Sequence, residues 1–358
     1  MKKIALLPAI ALLLLGACSD NDDPRPVPTD KVISVQPVPD NQTLVAPEQI
    51  KEYQREVAYG SSAYRFKYTN GQEIIYDVLT DGTNYFAAVK KIEGTAENVI
   101  LPPTITAVLN DVVTDIPVSA LNLFVDATSD NIKSIGVSGA THYMVVTANN
   151  VNTLEPATAD HIRVQVSKCP GVSKFIFDAS YPDYTTMEGA IYTADFSELV
   201  AVPMAYEGNF TVTDGTVKIQ DRALFKCTEI NSLTIPASVK SIGHEAVVNT
   251  TKLALVNMLS DEAPIAYDDS FGSYAFTGLL RIPEDSIGNY TFAKPDLTEP
   301  TEPAFPSVDD PDEVWDAYYD ALDKYDEELA EYNNAMSTYT NHAAYTHFTR
   351  IEQVKFEF

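Results

Sequence analysis

The chain has 358 residues, 45% of them apolar and 21% charged, a composition for a folded molecule of two domains or one elongated array rather than a disordered one. Its 24 basic side chains face 51 acidic ones, and a formal charge of −27 with no basic run excludes nucleic acids and anionic lipid surfaces as partners. Three cysteines, none in a Cys-x-x-Cys pair, exclude a disulfide framework and a structural zinc site.

The first residues read as an export signal. Lys2 and Lys3 precede an apolar run from Ile4 to Leu15 that only Pro8 interrupts. The run is too short for a bilayer, which takes about 20 apolar residues, and has the size of the apolar part of a secretory signal. It closes with Leu15-Gly16-Ala17-Cys18, which resembles a bacterial lipoprotein signal: small residues before a cysteine that is lipidated once 1–17 are removed. A plain secretory signal is the alternative. Several acyl chains on Cys18 would anchor the protein stably, where a single chain holds only marginally. No other contact with a membrane is expected. Ser19-Asp20-Asn21-Asp22-Asp23 resembles the acidic stretch that sends lipoproteins to the outer surface in some Gram-negative bacteria, and by its chemistry alone it is a solvated linker. Prolines 24, 26, 28, 37 and 39 extend it, so that 18–60 reads as an acidic, Pro-rich tether. The expected location is the outer membrane, lipid-anchored and facing the cell surface.

Residues 61–111 read as a β-meander. Tyr64-Arg65-Phe66-Lys67-Tyr68 alternates as a strand, Asn70-Gly71 supplies a turn, and Glu73 to Leu79 returns. Asp81-Gly82 then turns into Tyr85 to Val89. Such a meander would protect the open edge of whatever stacks behind it.

A repeat follows. Ile219-Gln220-Asp221-Arg222-Ala223-Leu224 aligns with Ile242-Gly243-His244-Glu245-Ala246-Val247 at an offset of 23 residues. The same offset carries Ile230 to Leu253, Leu233 to Val256, Ile235 to Met258 and Cys227 to Thr250. A period in the twenties means a solenoid with one coil per repeat. Leu233 and Ile235, two apart on a strand, point the same way, and Pro236 ends that strand. Ala223 and Leu224 fill the core from the opposite wall. The repeat core is expected at Ile219, Ala223, Leu224, Cys227, Ile230, Leu233, Ile235, Ile242, Ala246 and Val247.

The pattern Ala223-Leu224-x-x-Cys227-x-x-Ile230-x-x-Leu233-x-Ile235-Pro236, closing on Ile242-Gly243, is similar to the BspA-like leucine-rich repeat family of bacterial surface proteins. Cys169 to Phe177 copies its spacing. Glu188 to Tyr192 and Glu198 to Pro203 resemble the hairpin that the family inserts between coils. Val113 to Ile135 resembles a degenerate copy, and Ala263 to Tyr290 a closing repeat. The resemblance implies a mainly β fold: a short, irregular solenoid of about 23-residue coils over 112–294, an N-terminal meander cap and a C-terminal amphipathic helix. It also implies surface display and binding to macromolecules or cells, without catalysis. Cys169 and Cys227 hold equivalent repeat positions. Two coils apart they are free, buried thiols; one coil apart they could be bridged. A reactive or metal-binding role lacks a partner at suitable spacing.

Within 295–345, a Pro-rich lead-in precedes a helix. Asp310 reads as its cap, Pro311 as its first residue and Glu313 as the capping-box partner. Apolar residues fall at Trp315, Tyr318, Leu322, Tyr325, Leu329, Tyr332, Met336 and Tyr339, a heptad seam. Eleven acids and one lysine occupy 309–331. The seam is expected to fold back on the solenoid, with self-association or an external protein or glycan as the other occupants. Trp315, Tyr318, Tyr325, Tyr332 and Tyr339 are the candidate binding residues. Arg350 to Phe358 alternates as a terminal strand over 346–358, which makes the helix an insertion in the closing repeat.

Five histidines (142, 161, 244, 342 and 347) are scattered singly, and neither a nucleophile elbow nor a phosphate-binding glycine loop occurs. No catalytic residue, metal or cofactor is expected. The chain is expected to be a monomeric, non-catalytic adhesion or interaction module that binds a macromolecule, protein or glycan, through its solenoid face. The alternatives are a periplasm-facing scaffold and a glycan-binding module built on exposed tyrosines of the helix. Metabolic palmitate labelling checks the anchor: label on the wild type and none on Cys18→Ala is expected, whereas an unlabelled wild type means a plain secretory signal.

Overall fold

The computed structural model describes residues 29–31, 43–60, 62–124, 127–272, 276–308 and 311–357. The export signal, Cys18 and most of the tether lie outside them. The regular structure is mainly β, with two α-helices among the described residues. After a short strand, β1 (Thr29–Lys31), the chain enters an antiparallel run of β2 (Gln49–Arg55), β3 (Ala63–Tyr68), β4 (Gln72–Thr80) and β5 (Tyr85–Gly94). The turns fall at Asn70-Gly71 and Asp81-Gly82, where Gly71 and Gly82 take φ of 89° and 97° that side chains rarely adopt. Residues 49–55, assigned by composition to the tether, are a strand instead. Tyr53 stacks on Phe66 at 5.0 Å, and its hydroxyl accepts the Val108 N–H at 2.8 Å. Aromatic packing outweighs the polar composition there.

β6 (Asn98–Ile100), β7 (Thr104–Leu109) and β8 (Val112–Leu121) follow. β7 and β8 form a hairpin, and β8 also runs parallel to β5, which joins it to the meander's sheet. Next come β9 (Ser134–Val137), the hairpin of β10 (Tyr143–Ala148) and β11 (Val151–Pro156), helix α1 (Ala159–Val166) and β12 (Lys174–Phe177). β6, β9 and β12 stack in parallel, with Ile135 beside both Val99 and Phe175.

An antiparallel meander of β13 (Tyr184–Met187), β14 (Ala190–Thr193) and β15 (Glu198–Ala201) separates this part from the regular repeats. Beyond it, strands alternate between two parallel ladders. β16 (Gly208–Thr211), β18 (Ile230–Ile235), β20 (Leu255–Met258) and β22 (Leu279–Pro283) form one. β15, β17 (Lys218–Ile219), β19 (Ser241–Ile242) and β21 (Ile265–Ala266) form the other. Leu233 lies beside Phe210 and Val256, and Ile219 beside Ile242, so both ladders carry the 23-residue offset. β18 stops at Ile235, where Pro236 has no N–H to give. After β22 the chain leaves for helix α2 (Asp312–Thr340) and returns as β23 (Ile351–Glu357), which pairs parallel with β22. β1 covers the outer edge of β23.

Two apolar clusters result. The first gathers Phe66, Ile74, Ile135 and Phe177 with Ile162 and Val166 of α1; the second is built on the repeats. Ile219, Ala223, Leu224, Cys227, Ile230, Leu233, Ile235, Ile242, Ala246 and Val247 are all buried in the second. Burying a side chain of Leu or Ile size contributes roughly 1.5–3 kcal/mol. Leu233→Ala should therefore lower stability by about 2–5 kcal/mol. Thr211→Ala, on the exposed face of β16, should stay within about 0.5 kcal/mol, and urea unfolding midpoints measure both.

Candidate functional site

Helix α1 and the turns of the following coils enclose a cleft of about 620 Å³. α1 begins at Thr158, whose hydroxyl accepts the His161 N–H at 3.1 Å and satisfies one of the helix's open donors. Ile162 and Val166, four residues apart, share the face turned into the first core. Arg163 and Val164 line the cleft, with Val164 50% exposed.

Opposite stand the turns at 221–226 and 243–248. They repeat one backbone shape: Arg222 and Glu245 are left-handed at φ 56° and 49°, and Lys226 and Asn249 at 62° and 60°. The N–H groups of Arg222, Leu224 and Lys226 donate to the carbonyls of His244, Ala246 and Val248 at 2.8–2.9 Å, so the turns stack as the strands do. They approach closest at Gly243, where a Cβ would lie 2.5 Å from the Asp221 nitrogen. That approach accounts for the glycine after Ile242.

Four carboxylates (Asp160, Asp221, Glu245 and Asp269) line the cleft together with Arg163, Arg222 and His244. These groups are already engaged with one another. Arg163 pairs with Asp160 and donates to Gln220 Oε1 at 2.8 Å. Arg222 meets Glu245 at 2.6 Å, one coil away. His244 Nδ1 lies 2.8 Å from Asp269 Oδ1, its ring stacks on Tyr267 at 4.1 Å, and its N–H donates to Asp221 Oδ1 at 2.9 Å. Exposed pairs of this kind contribute about 0–1 kcal/mol each. Their effect is positional: they fix polar groups around Phe225 and Met204, leaving a cleft able to hold a ligand by hydrogen bonds and apolar contact. Among the described residues no group of three His, Cys, Asp or Glu could hold a metal ion. Sequence reasoning passed over this constellation because its members come from helix α1 and three separate turns. The one trace was His244-Glu245 in register with Asp221-Arg222.

Helix α2 takes a different partner from the one expected. Its capping residue is Pro311 and its first residue Asp312, while Asp310 lies outside the described residues. None of its described residues is buried, yet Trp315, Tyr318, Leu322, Tyr325, Leu329, Tyr332, Met336 and Tyr339 are half-buried. The covering comes from the Pro-rich lead-in. Phe292 stacks on His342 at 4.4 Å, and thirteen residues later Phe305 meets Trp315 at 5.3 Å and Tyr318 at 5.4 Å. From Tyr318 to Thr340 the helix rises about 33 Å, and thirteen residues span about 40 Å as polyproline II. The lead-in therefore runs nearly straight and antiparallel to the helix. Phe292, Pro295, Pro300, Pro303 and Pro306 are half-buried while the residues between them are exposed, and the last three prolines keep the polyproline period of three.

The expected fold-back on the coils is thus corrected. The coils already spend their apolar faces on each other, and proline rings can cover tyrosine carbons while the hydroxyls stay wet. Only the base of this hairpin is rooted in the second core: Tyr345 and Phe348 are buried there, and the Tyr345 hydroxyl donates to the Pro264 carbonyl at 2.9 Å. Of the candidate binding residues, Trp315 and Tyr318 gather with Phe305 and Tyr319 at the far end. Tyr325, Tyr332 and Tyr339 lie one heptad apart beneath the lead-in and form no open aromatic platform.

Cys169 and Cys227 are free, buried and in separate cores. Burial pushes both thiols up to about 12, and each Sγ lies 3.6 Å from a backbone carbonyl oxygen. No family model matches the chain, and no curated protein matches it. Three solved structures do. A leucine rich cell surface protein from Faecalibacterium prausnitzii A2-165 is 11% identical, with 61% of this chain and 88% of that chain covered, at a TM-score of 0.25. A leucine-rich repeat protein from Eubacterium ventriosum ATCC 27560 gives 11%, 67%, 80% and 0.25 for the same quantities, and the pneumococcal vaccine antigen PcpA gives 10%, 63%, 94% and 0.24. At such TM-scores the superpositions carry no argument. Thiolate is the reactive form of cysteine, so at pH 8 neither thiol should react with an aromatic disulfide reagent until urea unfolds the protein, when both should.

Proposed function

We propose that the chain is a leucine-rich repeat solenoid of the bacterial surface lipoprotein type, and that it holds a macromolecular partner without catalysis. The partner sits on the solenoid face that carries the cleft between α1 and the stacked turns. The observation that supports this reading is the engagement of the cleft's polar groups. Arg163, Arg222, His244 and their carboxylates are held by one another, so they present fixed donors and acceptors to a partner. The turns that carry them repeat with the coils, which gives a long contact surface rather than an isolated pocket. Cys18 supplies the anchor, and the acidic stretch after it favours display on the outer face.

Two experiments test the proposal. Protease shaving of intact cells, with a periplasmic protein as leakage control, should cleave the solenoid; protection until lysis would overturn surface display and favour a periplasmic scaffold. A screen of matrix proteins and glycans should then return a ligand whose affinity falls roughly tenfold or more in Val164→Arg. That substitution fills the cleft from the exposed face of α1 and should leave the unfolding midpoint unchanged. A ligand that binds this variant as well as the wild type would place the contact elsewhere.

A further inference from the structure

The Pro-rich strand that covers the tyrosine seam reaches the tip of the hairpin at Pro303 and Pro306, with Phe305 between them. There Phe305, Trp315, Tyr318 and Tyr319 form a cluster with ring centres 5.3–6.3 Å apart. Phe305 is 72% exposed, Tyr319 55%, and neighbouring Val308 88%. Apolar side chains gathered on a surface in this way mark a contact site.

The charge around the cluster narrows what can cover it. Residues 295–323 hold ten acids and no Lys, Arg or His. The next base, Lys324, is 3.1 Å from Glu328 and already paired. Asp312 and Glu313 lie in the first turn, where the helix dipole favours them, but Asp316, Asp320 and Asp323 lie beyond its reach. Helix spacing puts Asp312, Asp316 and Asp323 at seven before, three before and four after Tyr319, in one row with its exposed ring. A second copy of the chain, a sulfated glycan or an anionic membrane would be repelled by this field, and a neutral sugar would gain nothing from it. An ammonium or guanidinium group gains twice, over the face of a ring and beside a carboxylate.

We propose that the hairpin tip docks a Lys/Arg-rich segment of a partner protein, with basic side chains over Tyr319 and Phe305 and ion-paired to the row of Asp312, Asp316 and Asp323. The site is distinct from the cleft and shares with the proposed function only the premise that the chain is an interaction module.

Trp315 is the only tryptophan in the chain and lies inside the cluster, so its fluorescence reports on this site directly. Nona-arginine titrated into the mature protein at about 0.15 M salt, where screening acts over about 8 Å, should change Trp315 emission saturably. Phe305→Ala with Tyr319→Ala leaves the charge unchanged and should weaken binding roughly tenfold, with the helical circular dichroism retained. Asp312→Asn, Asp316→Asn and Asp323→Asn together should weaken it more than Glu207→Gln, Asp214→Asn and Glu284→Gln, three exposed acids removed elsewhere. The cleft variant Val164→Arg should titrate as the wild type does, which separates failure of this site from failure of the cleft. Unchanged Trp315 emission, equal effects of the two triple variants, or an undiminished affinity in the aromatic variant would each overturn the proposal, leaving only diffuse attraction to an acidic chain.

Discussion

A coil of twenty-three residues cannot close a core of its own, and the structure depends on each coil lying in register on the next. Leu233 is buried because Phe210 stands beside it on one side and Val256 on the other. The backbone enforces this three times per coil, once in each of the two strand ladders and once in the turns, where Arg222, Leu224 and Lys226 donate to the following coil. Parallel pairing fixes the inward row of Leu and Ile at a constant strand spacing of about 4.8 Å. The same register puts Asp221 over His244 and His244 near Asp269, so the cleft is a by-product of stacking.

Register also sets what the array tolerates. Val99, Ile135 and Phe175 are neighbours in one sheet although 36 and 40 residues separate them, because the extra chain leaves at the wall and returns to the same row. Closing a longer loop costs only about 0.6 kcal/mol per doubling of its length. One such excursion supplies α1, which forms one side of the cleft. Another, between β22 and β23, carries the proline–tyrosine hairpin, and Leu280 still finds Ile351 as its neighbour. Regular coils provide rigidity, and the departures from regularity provide the surfaces.

The hairpin solves its burial problem differently. Tyrosine at heptad spacing has too much carbon to leave wet and a hydroxyl that needs water or a partner. A polyproline strand suits it, since it has no internal hydrogen bonds to lose and presents a ring every third residue. The unit needs the coils only at its base, where Phe292, His342 and Tyr345 meet. Its tip is left with aromatic surface that neither the prolines nor the coils cover.

Much of this was legible in the sequence where the information is local. The 23-residue period, the strand end at Pro236, the turns at Asn70-Gly71 and Asp81-Gly82 and the seam on α2 follow from spacing and from residues with restricted backbones. Strand 49–55 was hidden because its stabilising contacts, Phe66 and the Val108 backbone, are distant in the chain. The lead-in's prolines at 300, 303 and 306 carried the polyproline period in plain view, but a period does not name the surface it covers. What lay beyond the sequence were the meetings: Arg163 with Gln220, His244 with Asp269, Phe305 with Trp315. Residue order fixes which faces must be buried; which distant face covers each is decided only when the whole chain competes for the same apolar surface.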